Sequence, residues 1–317
     1  MRGLMRGTAL LYSSHSRCNV IHNDYIAQRA LRGQDNKRIL FLPFSEAPRD
    51  GNELERQEFA YGNFRWFFRF YERFGLEHVP FYWTSSLRKE DVDLLWHQLA
   101  WSEVVILGGG YSTTGLWRYK QLGAQFDGEP GKFGRILHER RQRGLLTVGF
   151  SAGADQLCQH LFRRVWDSPG DNDGFGLARD TLVTLHHEPS RNGDLWHAAR
   201  RMPHCFVFGL PNDSGINVDW GVLPSGNLWQ VYELIVDTTW DDPADALHIK
   251  TRQGALIDHF DHTGRHWGFH GGDHLVRVTS PDGRYDRAWM TAGGRLLDYW
   301  TREPSGHGSI EDILASH

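Results

Sequence analysis

The run LLTVGFSAGADQL, residues 145–157, narrows the choice of fold more than any other stretch. Four apolar or small residues suited to a buried strand lead into Gly149-Phe150-Ser151-Ala152-Gly153, and a helix-compatible run follows. A turn that sharp leaves no room for Cβ atoms beside it, which accounts for both glycines, and it lifts the hydroxyl of Ser151 above the sheet edge. The spacing therefore predicts a strand-to-helix elbow with Ser151 as nucleophile. The amide of Ala152 then lies at a helix N-terminus, where backbone donors and the helix dipole stabilise an oxyanion.

The rest of the first two thirds suits such an elbow. Apolar runs TALLYS (8–13), RILFLPF (38–44), HVPFYW (78–83) and EVVILGGG (103–110) alternate with amphipathic stretches at 53–74, 87–99 and 133–143. Buried strands alternating with helices predict an α/β three-layer sandwich around a mostly parallel sheet. Past residue 225 the texture becomes short apolar-polar alternations with turn signals, Asp282-Gly283 among them, which predicts an antiparallel β-rich C-terminal extension. Two units are expected, 1–225 and 226–317.

Composition excludes several partners. Thirty-five Lys and Arg against 39 Asp and Glu give a net charge of −4, spread too evenly for a nucleic-acid or membrane surface. Three separated cysteines, Cys18, Cys158 and Cys205, form no CxxC pair, so neither a disulfide framework nor a thiolate metal site is indicated, and a cytoplasmic location is expected. No run approaches the roughly 18 apolar residues of a membrane span. A small-molecule partner is expected; a homodimer is left open.

A serine nucleophile needs a base. His186 ends the apolar stretch TLVTL, so it stands at a strand's carboxyl end like the serine, whereas His160 is expected in the helix that follows Ser151 and should point away. Gly108-Gly109-Gly110 ends another strand and offers a second oxyanion amide, since parallel strands bring their carboxyl ends to one edge. The tail segment DHFDHTGRHWGFHGGDH holds five histidines and three aspartates but fits no common zinc spacing, so no metal is expected there.

These pieces, in order, resemble peptidase E (family S51) and, more distantly, cyanophycinase, proteins with a flavodoxin-like fold also seen in class I glutamine amidotransferases. The matching segments are LLYSS, RILFLPFSE, VVILGGG, LLTVGFSAGA, DGFGL, TLVTLHHE and FVFGLPNDSGINVDWG. The pattern G-x-S-A-G-A is reproduced in full by residues 149–154. The resemblance implies a serine peptidase acting on a small peptide with an acidic, aspartyl residue at the cleaved bond, or a cyanophycinase-like isopeptide hydrolase, or a catalytically idle peptide binder. It implies Ser151 as nucleophile, His186 as base and Gly110 with Ala152 as oxyanion amides, with no cofactor. Leu185 stands where the family has Pro, and Asn212 where it usually has glutamate. Asp213 is expected as the acid, with Asn212 and Asp167 as alternatives, since an asparagine orients the histidine in papain-like proteases. Arg191 is expected to clamp a substrate carboxylate through its bidentate guanidinium, and Tyr111, where the family carries a smaller polar residue, to shape the pocket.

Overall fold

The computed structural model describes residues 8–14, 18–48, 52–166, 173–237 and 256–317. Five strands alternate with helical segments along its first half: β1 (Ala9–Tyr12), β2 (Arg38–Leu42), β3 (Glu77–Pro80), β4 (Val104–Leu107) and β5 (Leu146–Phe150). They pair in parallel in the order β3-β2-β4-β5-β1. Such strands must be apolar on both faces. In β1, Ala9 and Leu11 face one core while Leu10 and Tyr12 face another, and β2 and β4 alternate likewise.

One core is closed by the helical segment from Ile21 through α1 (Gln28–Leu31) and by α2 (Glu55–Phe68), which contribute Ile21, Ile26, Phe64 and Phe68. A 3-10 turn, Arg69–Phe74, continues α2 and stops at Gly75, whose φ of 85° requires glycine. The opposite core receives α3 (Lys89–Trp101), α4 (Ser112–Asp127), α5 (Lys132–Gln142) and α6 (Ala152–Leu157), with Leu95, Tyr119, Phe133 and Leu157 buried. A layer therefore covers each face of the sheet. Phe59 is 65% exposed, because the buried stripe of α2 runs through Phe64 and Phe68.

The remaining strands are β6 (Thr181–Leu185), β7 (Phe206–Leu210), β8 (Ser214–Val222), β9 (Leu228–Val236), β10 (Ile257–Phe260), β11 (His266–Phe269), β12 (His274–Thr279), β13 (Asp286–Ala292) and β14 (Arg295–Asp298). Helix α7 (Asn192–Arg201) connects β6 to β7, and α8 (Ile310–Ser316) ends the chain, capped by Ser309. Among the described residues ten strands form one sheet, which continues past β1 as β8-β9-β12-β13-β14, all antiparallel. A four-stranded sheet, β11-β10-β7-β6, carries the rest.

The fold is thus mixed α/β, with parallel strands in one half of the large sheet and in the β6–β7 pair of the smaller one, and antiparallel strands contributed by the C-terminal part. TLVTL is a strand, but it belongs to the smaller sheet. Residue 225 falls in the turn between β8 and β9, which pair from Ser214↔Val236 to Val222↔Leu228, so the division drawn there crosses an unbroken sheet. Asp282-Gly283 lies in the β12–β13 hairpin, with Gly283 at φ 72°. No helix among the described residues is long and apolar enough to cross a membrane.

Candidate active site

Strand β5 ends at Phe150 and α6 begins at Ala152, leaving Ser151 as the whole turn, at φ 48° and ψ −117°. A side chain rarely tolerates that backbone, and such strain persists only where the surroundings enforce it. Here they do: a Cβ on Gly149 would lie 2.3 Å from the carbonyl oxygen of Gly153, and one on Gly153 would lie 2.1 Å from that of Leu107. The two glycines let the helix start directly against β4 and β5.

His186, at the end of β6, meets the serine. Its Nε2 is 3.2 Å from Ser151 Oγ, and its Nδ1 is 2.5 Å from Asn212 Oδ1. The asparagine oxygen can only accept, so Nδ1 carries the proton and Nε2 is left to accept from the hydroxyl. His186 is itself at φ 52°, and its backbone N–H donates to Ser13 Oγ at 2.7 Å. Ser13 follows β1, the neighbour of β5, so one hydroxyl spans from the large sheet to the histidine on the smaller one.

The residue beside the imidazole is Asn212, not Asp213. Asp213 is 1% exposed, its carbonyl accepts from Asp237 N, and its charge acts on the Cys18 thiol. Burial, then Asp237 and Asp213, push that thiol well above its ordinary range. It stays an S–H group and donates to the Asn212 carbonyl at 3.5 Å. Ser214 N–H closes the turn onto Pro211 O at 3.1 Å. Consecutive residues of a tight turn point different ways, and this turn sends position 212 to His186 and position 213 inward. Asp167 lies outside the described residues.

His187, one residue on, faces away and is buried, with Nε2 on Asn192 Oδ1 at 2.8 Å and on Asp258 Oδ2 at 3.4 Å. Its ring also explains Gly209, where a Cβ would lie 2.4 Å from it.

A cleft of about 190 Å³ opens at the serine, lined by Gly110, Ser112, Ser151, Ala152, Asp155, Phe162 and Arg191 among others. Gly110 has φ 122°, and a Cβ there would lie 2.2 Å from Ser45 O, so only glycine brings this backbone to the cleft. Arg191 donates to Thr184 Oγ1 at 3.0 Å and Leu185 O at 3.3 Å, with Nε 3.4 Å from Asp194. Tyr111, at the N-terminal end of α4, is 66% exposed beside Gly110.

Sequence reasoning missed two residues. Ser13 is one. Asp155 is the other: it sits one helical turn after Ser151, which was the available signal. Burial pushes its carboxyl up to about 6, partly offset by hydrogen bonds from Phe162 N, at 2.8 Å, and the Ser112 hydroxyl. The cleft thus carries a carboxyl and a guanidinium on its walls.

Two of the tail histidines have internal partners. Buried His259 donates from Nδ1 to Val207 O at 2.9 Å and accepts from Tyr299 Oη at 2.7 Å, while His266 pairs with Asp258 at 2.7 Å.

No family model matches the sequence, and no curated protein does. Solved structures do. A peptidase from an acI-B1 Actinobacterium superposes with a TM-score of 0.52 at 16% identity, over 83% of this chain and 94% of its own. The likeness is one of fold. A structure described as a "Putative Peptidase E Protein" from Listeria monocytogenes EGD-e has a TM-score of 0.45 at 15% identity, over 66% of this chain and 93% of its own.

Proposed function

We propose that this protein is a serine hydrolase that cleaves an amide bond of a small peptide, with an acidic residue at the cleaved bond. The observation that carries the reading is the continuous contact Ser151–His186–Asn212, built on two residues with left-handed backbone. His186 Nε2 takes the hydroxyl proton as Ser151 Oγ attacks the carbonyl carbon. The amides of Gly110 and Ala152, at the cleft wall, hold the oxyanion. The imidazolium then gives the proton to the leaving amine. Water, deprotonated by the same nitrogen, adds to the acyl-enzyme and frees Ser151. Asn212 keeps the ring in the tautomer that accepts at Nε2, without lending it charge. Arg191 supplies the cation for a substrate carboxylate, and the likeness of fold to a peptidase agrees with the reading.

A fluorophosphonate probe tests it. Covalent labelling of the purified protein, lost in Ser151→Ala, together with hydrolysis of aspartyl dipeptides is expected. A folded wild-type protein that neither labels nor turns over a panel of acidic and neutral dipeptides would refute the assignment.

A further inference from the structure

Away from the cleft, the chain brings together three groups that the proposed hydrolysis does not use. His160 lies just beyond α6, and His204 and Cys205 lie just ahead of β7. Each offers one ligand atom, and these atoms all lie within 4.8 Å of one another. Tetrahedral bonds of zinc to sulfur and nitrogen set ligand atoms roughly 3.4–3.7 Å apart, so small rotations of the side chains close the site. The two imidazoles are nearly perpendicular, at 87°, with ring centres 6.2 Å apart.

The surroundings match what a metal-bound histidine ordinarily has behind it. Asp173 Oδ1 sits 2.6 Å from His160 Nδ1, which fixes the proton there and leaves Nε2 for an ion. Two cations stand close, Arg164 and Arg277. Arg164 is bonded to Asp173, and Arg277 to Asp286 at 2.7 Å with Asp180 at 3.7 Å. Burial holds the Cys205 thiol up at about 12, so without an ion it stays protonated. Forming the sulfur–metal bond releases that proton to solvent. Cys205 and His160 are buried while His204 is exposed, so an ion enters from the His204 side.

We propose that His160, His204 and Cys205 form a zinc site with a fourth position for water, tying the segment after α6 to the start of β7. Thiolate and imidazole donors together favour zinc over calcium or magnesium. The tie has a consequence for the cleft, because Phe162, two residues from His160, lines it and donates its backbone N–H to Asp155. The sequence gives little hint of such a site: 45 positions separate His160 from Cys205, and no spacing motif joins them.

Cobalt(II) is the probe, titrated into chelator-treated, reduced protein and followed by absorption. The expected result is binding of one ion per chain with a thiolate-to-cobalt band in the near ultraviolet. The band should vanish in Cys205→Ser, and in His204→Gln cobalt should bind at least tenfold more weakly. His204 is exposed, so that variant keeps the fold even if Cys205→Ser does not. Absence of the near-ultraviolet band, or its persistence in Cys205→Ser, would overturn the proposal. So would unchanged cobalt affinity in His204→Gln.

Discussion

A neutral amide beside His186 makes the candidate triad testable one residue at a time. An asparagine orients the imidazole but contributes no charge to the imidazolium, so its removal costs orientation and tautomer control. Asn212→Ala is expected to lower kcat on a dipeptide roughly 10²–10³-fold with KM little changed. Asp213→Asn, whose side chain is buried away from the ring, should leave kcat within a few-fold; steady-state kinetics on both variants separates the two positions. Arg191→Gln should raise KM for acidic dipeptides while sparing neutral ones. Asp155 supplies a pH prediction. Raised from 3.8 to about 6 in the folded chain, its carboxyl holds a proton that the unfolded chain has released. Stability therefore falls as pH rises through that window, by about 3 kcal/mol once above it. Asp155→Asn should raise the melting temperature at pH 8 and leave it nearly unchanged at pH 3.5, as calorimetry at the two pH values would show.

At the scale of elements, the elbow was legible because sterics dictate its residues, and the partner loops were not. Gly149 and Gly153 each face a carbonyl oxygen at a distance no Cβ tolerates. Gly153→Ala should accordingly destabilise the fold by about 2 kcal/mol or more, checked by urea unfolding. The strand and helix periods of residues 38–143 foretold β2 to β4, α3 and α5 to within a few residues, since burial on one or both faces writes itself into the pattern. Helix α4 was not legible: it opens with Ser112-Thr113-Thr114-Gly115, small and β-branched residues that favour other structures, and tertiary packing of Leu116, Tyr119 and Leu122 decides it. Which of Asn212 and Asp213 meets His186 depends on the Pro211–Ser214 turn and on Cys18 from the other end of the chain. No local pattern encodes that.

On the scale of the whole molecule, the change of texture near residue 225 is real in sequence but marks no gap in the sheets. The strands after it alternate because they are antiparallel, and they extend sheets that earlier strands begin. Strand β9 covers the full length of β8, and β10 pairs with β7, which leads into the Asn212 turn. Tyr232, Leu234, Ile257, Phe269, Leu275, Met290 and Tyr299 share one buried cluster with Leu11, Leu107 and Leu157 of the first half. A chain ended after residue 225 would leave β8 as a nine-residue open edge and expose that cluster's inner face, a combination that drives aggregation. It is expected to be insoluble, or to melt without a cooperative transition by circular dichroism, and to lose labelling at Ser151. A soluble, cooperatively melting 1–225 fragment would instead show that the first part is an independent domain and the strands after it an accessory.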